Sequence, residues 1–351
     1  MSGLLIKYQE EPMTRSILTL TEIRSAVTSA TRIDIDDQDA QVRFARAVWS
    51  GVAEPGDAAA GALVSALGAD VALEGLLAGW TADRFAETAL DTGTKLEGVD
   101  VAAGLERWMP RATSDAATSA FQRAARVGAV LLTPADAEWP AGFADLGSQG
   151  PIALWVRGNT QHLRTLGESI CVTGARAATG YGEHVAMEAA AGLVDRGYTV
   201  ISGAAYGIDG MVHRAALASR GVTVAFLAGG VDRFYPSGHD ALLTRIAEQG
   251  AVVSEIPCGA PPTKWRFLQR NRLLAAAARA TVIVEAGWRS GSLNTAAHAS
   301  ALGRPVGAVP GPVTSAASAG CHRLLREGLA QCVTNAEEMA ELAPLVTPAV
   351  L

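Results

Sequence analysis

The chain has 351 residues, a net charge of −6 and 49% hydrophobic residues, enough for two domains and a substantial core. No run of about 18 apolar residues occurs, and the start, MSGLLIKYQEEP, meets charge within seven residues; a membrane span and a signal peptide are both disfavoured, and a cytoplasmic protein is expected. Cys171, Cys258, Cys321 and Cys332 are far apart and form no CxxC pair, which argues against a zinc site or a disulfide framework and for small buried thiols.

Residues 1–24 show no clear period and are expected to be poorly ordered. Residues 25–126 are rich in Ala, Leu, Asp and Glu at helical spacing; DAQVRFARAVWSGV puts Val42, Ala45, Val48 and Trp49 on one face. EPGD (54–57) breaks the pattern, and DAAAGALVSALG ends in a glycine suited to a helix C-terminus. This predicts a small domain of about four to six helices. Its glycine-punctuated pairs could be DNA-binding helical hairpins, but its acidity favours a scaffolding or regulatory module. Residues 127–165 hold two short apolar runs, GAVLLTP and IALWVRGN, around a turn-rich segment, and read as strands connecting the two halves.

From about residue 166 to 345 the pattern becomes regular. SICVTG, YTVISG, VTVAFLAG, AVVSE, TVIVEA and PVGAVPG alternate with Ala-rich helical stretches. Such alternation predicts α/β architecture: a Rossmann-like, mostly parallel sheet with helices on both faces. Ligands of such sheets collect at the carboxyl ends of the strands. The charge is also divided. Residues 170–335 carry 15 Lys/Arg against 10 Asp/Glu, a local excess of +5, while the rest of the chain carries −11. A polyanion would therefore meet the α/β half.

The first glycine turn, VTGARAATGYG, has glycines at 174, 180 and 182, which is not GxGxxG, and Ser202 stands where a ribose-binding acid would end the second strand. A nicotinamide enzyme is disfavoured. No GK[ST] occurs, which excludes a Walker A site. No cofactor and no metal site is implied. EAGWRSGSLNTAAHA runs strand, turn, helix, and places Ser290, Gly291 and Ser292 where backbone N–H groups are expected to be unpaired and the helix dipole favours an anion. Many helices are capped this way without a ligand; with TGARAATGYG and SGAAYGID at the same edge, three small-residue turns face one crevice.

KWRFLQRNR (264–272) sets four cations and two rings in nine residues with no acid. As a helix it would align Phe267 with Asn271 and Arg266 with Arg270. One reading is a solvated basic helix with one ring in the core. The other is a groove in which cations hold phosphates and a ring stacks on a base, the usual means of holding a single strand.

Several ordered stretches carry a family likeness: SGAAYGID with VHRAAL, then LAGGVDRFYP, GAVVSEIP, RFLQRNRLLAAAA, VIVEAGWRSGSLNTAAHA, and AVPGPV with SAGCHRLLREG. Over residues 130 to about 335 the chain resembles the DNA-processing protein A (DprA/Smf) family, and EPGD and WPAGFADLGSQGPIALWVRG extend the likeness toward the amino terminus. The resemblance implies a homodimeric, non-catalytic binder of single-stranded DNA that protects it and loads the RecA recombinase during natural transformation and recombination. It assigns DNA contacts to Gly174 and Arg176, to Lys264, Phe267, Arg270 and Arg272, and to Ser290, Gly291 and Ser292. Phe267 would stack, leaving Trp265 as the core ring.

The chain departs from the family at some positions. Ala175 stands where Ser or Thr is usual, which removes a hydroxyl contact. Ala204 replaces a common Leu and His239 a common Asn. Many relatives add a carboxy-terminal winged-helix-like domain, and none is expected here. The rival reading is an enzyme resembling the phosphoribohydrolases, with Glu255, Glu285 and Asp209 as acid and base candidates, or a nucleotide sensor. Structural pairing of those carboxylates, as of Glu255 with Arg270 or Arg272, is the preferred expectation. His213 and His298 have no Ser or Cys partner at triad spacing.

Overall fold

The computed structural model describes residues 18–31, 35–96 and 98–345. Side-chain caps set many of the helix starts. Thr19 and Glu22 form a reciprocal capping box that opens α1 (Leu20–Thr28), so order begins before residue 24, where the sequence shows no period. Residues 1–17 lie outside the described residues. Asp36 caps α2 (Asp37–Val52) and Asp57 caps α3 (Ala58–Leu67), which ends at Gly68 with φ +85°. Then follow α4 (Ala69–Leu77), α5 (Ala82–Asp91), α6 (Val101–Trp108) and α7 (Ser114–Arg126). The amino-terminal part thus holds seven α-helices among the described residues, more than expected, because the Ala-rich run splits at Gly68.

The EPGD break works as a joint. Glu54 accepts from Arg111 and Arg266, while Asp57 accepts from Arg107 and the Trp108 indole.

The strands are β1 (Ala129–Leu132), β2 (Leu154–Gly158), β3 (Ser169–Thr173), β4 (Thr199–Ser202), β5 (Thr223–Phe226), β6 (Ala251–Ser254), β7 (Ala280–Ile283), β8 (Val306–Ala308) and β9 (Gln331–Cys332). They form one sheet in the order β1-β2-β6-β5-β4-β3-β7-β8-β9. β1–β2 and β2–β6 pair antiparallel, and every other pair is parallel. The six strand runs expected from residue 166 onward are all present. The stretch expected to connect the halves, 127–165, instead extends the sheet, because β2 finds the free edge of β6.

Between the parallel strands lie α8 (Gly180–Asp195), α9 (Ile208–Ala218), α10 (Asp240–Gln249), α11 (Lys264–Ala277) and α12 (Ser292–Ala301), followed by α13 (Ala319–Arg326) and α14 (Ala336–Glu341). Alternate strand residues enter different cores. Ile170 and Val172 pack with Leu193 of α8 and Val212 of α9, whereas Cys171, Ile201 and Phe226 pack with Leu273 and Leu274 of α11. Both faces are apolar because both are covered. The amino-terminal helices close no separate core: Phe44, Trp49 and Phe121 share one cluster with Trp155 of β2, Ala225 of β5 and Val252 of β6. Phe121 and Trp155 meet edge-on at 5.3 Å. Three cysteines are buried as expected; Cys332 is exposed, because β9 lies at the sheet edge. Among the described residues no single helix is long and apolar enough to cross a membrane.

Arg43 of α2 is buried and grips Asp136, beyond β1, with two hydrogen bonds of 2.8 and 2.7 Å. Burial by itself would push the Asp136 carboxyl up, but the bonds from Arg43 and Thr133 hold it below its ordinary 3.8. A depressed carboxyl contributes stability that is complete above its unfolded value and is lost as pH falls through the folded one. Asp136→Asn is therefore expected to lower the urea midpoint at neutral pH and to narrow the loss of midpoint as pH falls below about 4. An acid arm of unchanged depth would rule the pair out as its source.

Candidate nucleic-acid interface

The chain fills one side of the sheet from β3 to β6, then crosses to β7 beside β3 and proceeds outward. β3 and β7 are parallel neighbours at this switch point, the place where ligands of open α/β sheets bind. Glu285, after β7, ties the loops that follow these two strands together: its carboxylate accepts the Thr179 backbone N–H at 2.9 Å and the Thr179 hydroxyl at 2.6 Å. Gly174 sits where they touch, and a Cβ there would lie 2.8 Å from the Glu285 carbonyl oxygen and from Ile208. On the other side, Ala175 accepts from the Ile208 N–H at 3.1 Å. The first turn is therefore pinned at both flanks while Arg176 remains exposed.

Thr263 caps α11 through the Arg266 N–H and aims the helix start at this turn. Lys264 is exposed at its first position. One turn on, the half-buried Phe267 ring lies under the Arg176 guanidinium, 4.8 Å from carbon to ring centroid, and beside Tyr235 at 5.7 Å. Gly174, Arg176, Lys264 and Phe267 thus converge.

The other cations of KWRFLQRNR face inward. Arg266 pairs with Glu54 and donates to the Pro261 carbonyl. Arg270 is buried, donating to the Phe226 carbonyl at 2.6 Å with its guanidinium against Gly203. Arg272 is 2% exposed and forks onto Glu255 at 2.8 and 2.7 Å. Arg270 and Arg272, expected to contact DNA, are instead buried supports of this sheet edge, because the crossover helix α11 is covered from Arg270 onward. Trp265 is likewise a correction. It is 56% exposed, since the inward direction belongs to Phe267 and Arg270.

Ser290, Gly291 and Ser292 join the site through Asn271, whose amide donates to the Gly291 carbonyl and to Asn294. Their amides are less free than expected. The Ser290 N–H donates to the Gly287 carbonyl at 3.0 Å, and the Ser292 N–H reaches the Ser290 hydroxyl at 3.4 Å. Gly291 is exposed and Ser292 buried.

The acid candidates all have internal partners. Glu255 holds Arg272 and Glu285 holds Thr179. Asp209 accepts from Thr173 at 2.7 Å and from the Ala205 N–H. His213 is fully buried; burial first, then nearby cations, pull it down to about 3, so it is neutral at physiological pH. Ala204 and His239 prove to be neighbours, with His239 Nδ1 3.1 Å from the Ala204 carbonyl and its ring edge-on to Tyr206.

Several residues at this edge escaped the sequence reading. Gly207, at φ +74°, backs directly onto the Ala175–Arg176 turn. Tyr206, Tyr235 and Trp288 lie within quoted motifs, SGAAYGID, LAGGVDRFYP and EAGWRSG, where the glycines drew attention; a ring between each strand and the helix that follows it was the available signal.

A family model described as DNA recombination-mediator protein A matches residues 130–344. A Mycobacterium tuberculosis protein named for DNA processing (DprA) is 48% identical over 305 residues, covering 84% of this chain and 73% of the relative. Escherichia coli protein Smf is 40% identical over 211 residues, 60% of this chain and 56% of the relative. Among solved structures, Streptococcus pneumoniae DNA processing protein A superposes with a TM-score of 0.67 at 26% identity, over 90% of this chain and all of that one. A Helicobacter pylori DNA processing protein A, described for its single-stranded DNA binding mode, gives a TM-score of 0.55 at 28% identity over 61% of this chain and 94% of that one.

Proposed function

Because the chain belongs to the DNA recombination-mediator protein A family, we propose that it is a non-enzymatic, homodimeric binder of single-stranded DNA. It holds the strand at the carboxyl edge of the sheet, shields it, and passes it to the RecA recombinase during recombination and natural transformation. The observation that carries this reading is the Arg176–Phe267 pair with Lys264 one turn away. Cations at the rim meet phosphates, and the ring offers a sequence-tolerant stacking surface. Arg176 covers one face of Phe267, so a base that takes that face releases the guanidinium to a phosphate. The carboxylates an enzyme would need are spent on internal contacts, which supports binding without catalysis.

Fluorescence anisotropy with labelled oligo-dT, single strand against duplex at two salt concentrations, tests the reading. Single strand should be preferred and affinity should fall with salt. Lys264→Ala is expected to weaken binding and reduce the magnitude of the log–log salt slope by about 0.7. Phe267→Ala should cost about 1–3 kcal/mol. If both variants bind like wild type, the groove is wrongly assigned. The recombinase step is read separately as faster RecA filament growth on the same oligonucleotide, lost in Phe267→Ala.

A further inference from the structure

Among the described residues five aromatic side chains are exposed: Tyr181, Tyr206, Tyr235, Trp265 and Trp288. Each follows the carboxyl end of a different parallel strand, in turn β3, β4, β5, β6 and β7. Those strands are contiguous in the sheet, so all five rings belong to one edge of it. Water-exposed tryptophan is expensive surface for a protein to leave open, and its confinement to one edge calls for an occupant.

Charge selects the occupant. Of the acids near these strand ends, Asp209, Glu255 and Glu285 are buried, Glu183 and Asp232 are half-buried and Asp240 is exposed, against four exposed cations, Arg176, Arg233, Lys264 and Arg289. Two rings already carry a guanidinium: Arg176 lies over Phe267, and Arg323 of α13 lies over Trp288 at 5.1 Å. The buried Arg323 Nε has no hydrogen-bond partner, and Trp288 is 54% exposed, so this second pair presents an open ring backed by a cation. Alternating rings and cations suit unpaired bases on a phosphate chain.

We propose that Trp288, seated on Arg323, is a second base-stacking position on the β7 side of the switch point, and that the bound strand runs across the sheet from Tyr235 and Phe267 to Trp288. This rests on the single-strand reading above and adds a direction and a minimum length. The strands bearing Tyr235 and Trp288 are three spacings apart, about 14 Å. At about 3.4 Å per stacking step that is about four steps, or at least about five nucleotides, so a very short oligonucleotide engages one position and a longer one both.

The test compares labelled dT4 and dT20 at low salt on wild type, Trp288→Ala, Trp288→Phe and Lys264→Ala. Trp288→Ala should lose about tenfold in dT20 affinity and less than about twofold in dT4 affinity, with Trp288→Phe restoring most of the loss. If Trp288→Ala binds both lengths like wild type while Lys264→Ala weakens both, the second position is wrong and the single-strand reading stands. If wild type binds neither length, that reading fails and takes this inference with it.

Discussion

Arg272→Met is expected to destabilise the protein by about 3–5 kcal/mol, among the largest effects a single substitution could have here. The guanidinium forks onto Glu255 inside the protein, with side-chain exposures of 2% and 9%. Removing the cation leaves the Glu255 carboxylate at the end of β6 without its counter-charge, and the desolvation cost is then uncompensated. Arg272→Met with Glu255→Leu should recover much of the loss, since two apolar groups of similar volume replace a pair whose attraction is largely offset by dehydration. Urea unfolding of the two single variants and the double variant, read as a cycle, gives the coupling. A single-variant cost below about 1 kcal/mol would mean that water reaches the pair, as at an exposed ion pair. While Arg272→Met remains folded, its oligo-dT affinity should stay near wild type, because Arg272 serves α11 rather than the strand.

Gly207→Ala is expected to lower stability by about 2–5 kcal/mol, combining a left-handed backbone with overpacking. It should also abolish most single-strand binding. At φ +74° an L side chain is strained, and its Cβ would fall onto the carbonyl oxygens of Ala175 and Arg176, with the Arg176 carbonyl carbon at 2.7 Å. Those are backbone atoms of the turn that presents Arg176, and Glu285 and Thr179 pin the far end of the same loop. The turn can yield only by moving Arg176 off Phe267. Thermal unfolding and oligo-dT anisotropy separate the two effects. Stability lost with affinity intact would detach Gly207 from the site, and no loss of either would show that the turn adapts freely.

Most of the sheet was legible in the residues alone. SICVTG, YTVISG and the runs after them are short, β-branched and bounded by small residues, and helical stretches separate them, so parallel pairing is the only economical arrangement. β9 was missed because two exposed residues, Gln331 and Cys332, carry no period; their neighbour β8 makes them a strand. The strands of the stretch at 127–165 were legible, but their place in the sheet was not, for a related reason. Antiparallel pairing of β2 with β6 joins residues almost a hundred positions apart, and no local pattern records which edge is free.

The sequence by itself determined that a basic, ring-bearing helix and three small-residue turns gather at one edge of a parallel sheet, since strand direction carries every βα turn to that edge. Only the tertiary structure decided which cations of KWRFLQRNR remain available. α11 bridges β6 and β7 against α12 and beside the Glu54 joint, so Arg270, Asn271 and Arg272 are buried along with Leu273 and Leu274. Charged residues are ordinarily read as exposed because burying an unpaired charge is costly. The partners that lift that cost, Glu255 for Arg272 and the Phe226 carbonyl for Arg270, lie 17 and 44 positions away along the chain. Helical spacing repeats within four residues and has no means of registering them; the fold does, and it leaves Arg176 and Lys264 exposed beside Phe267.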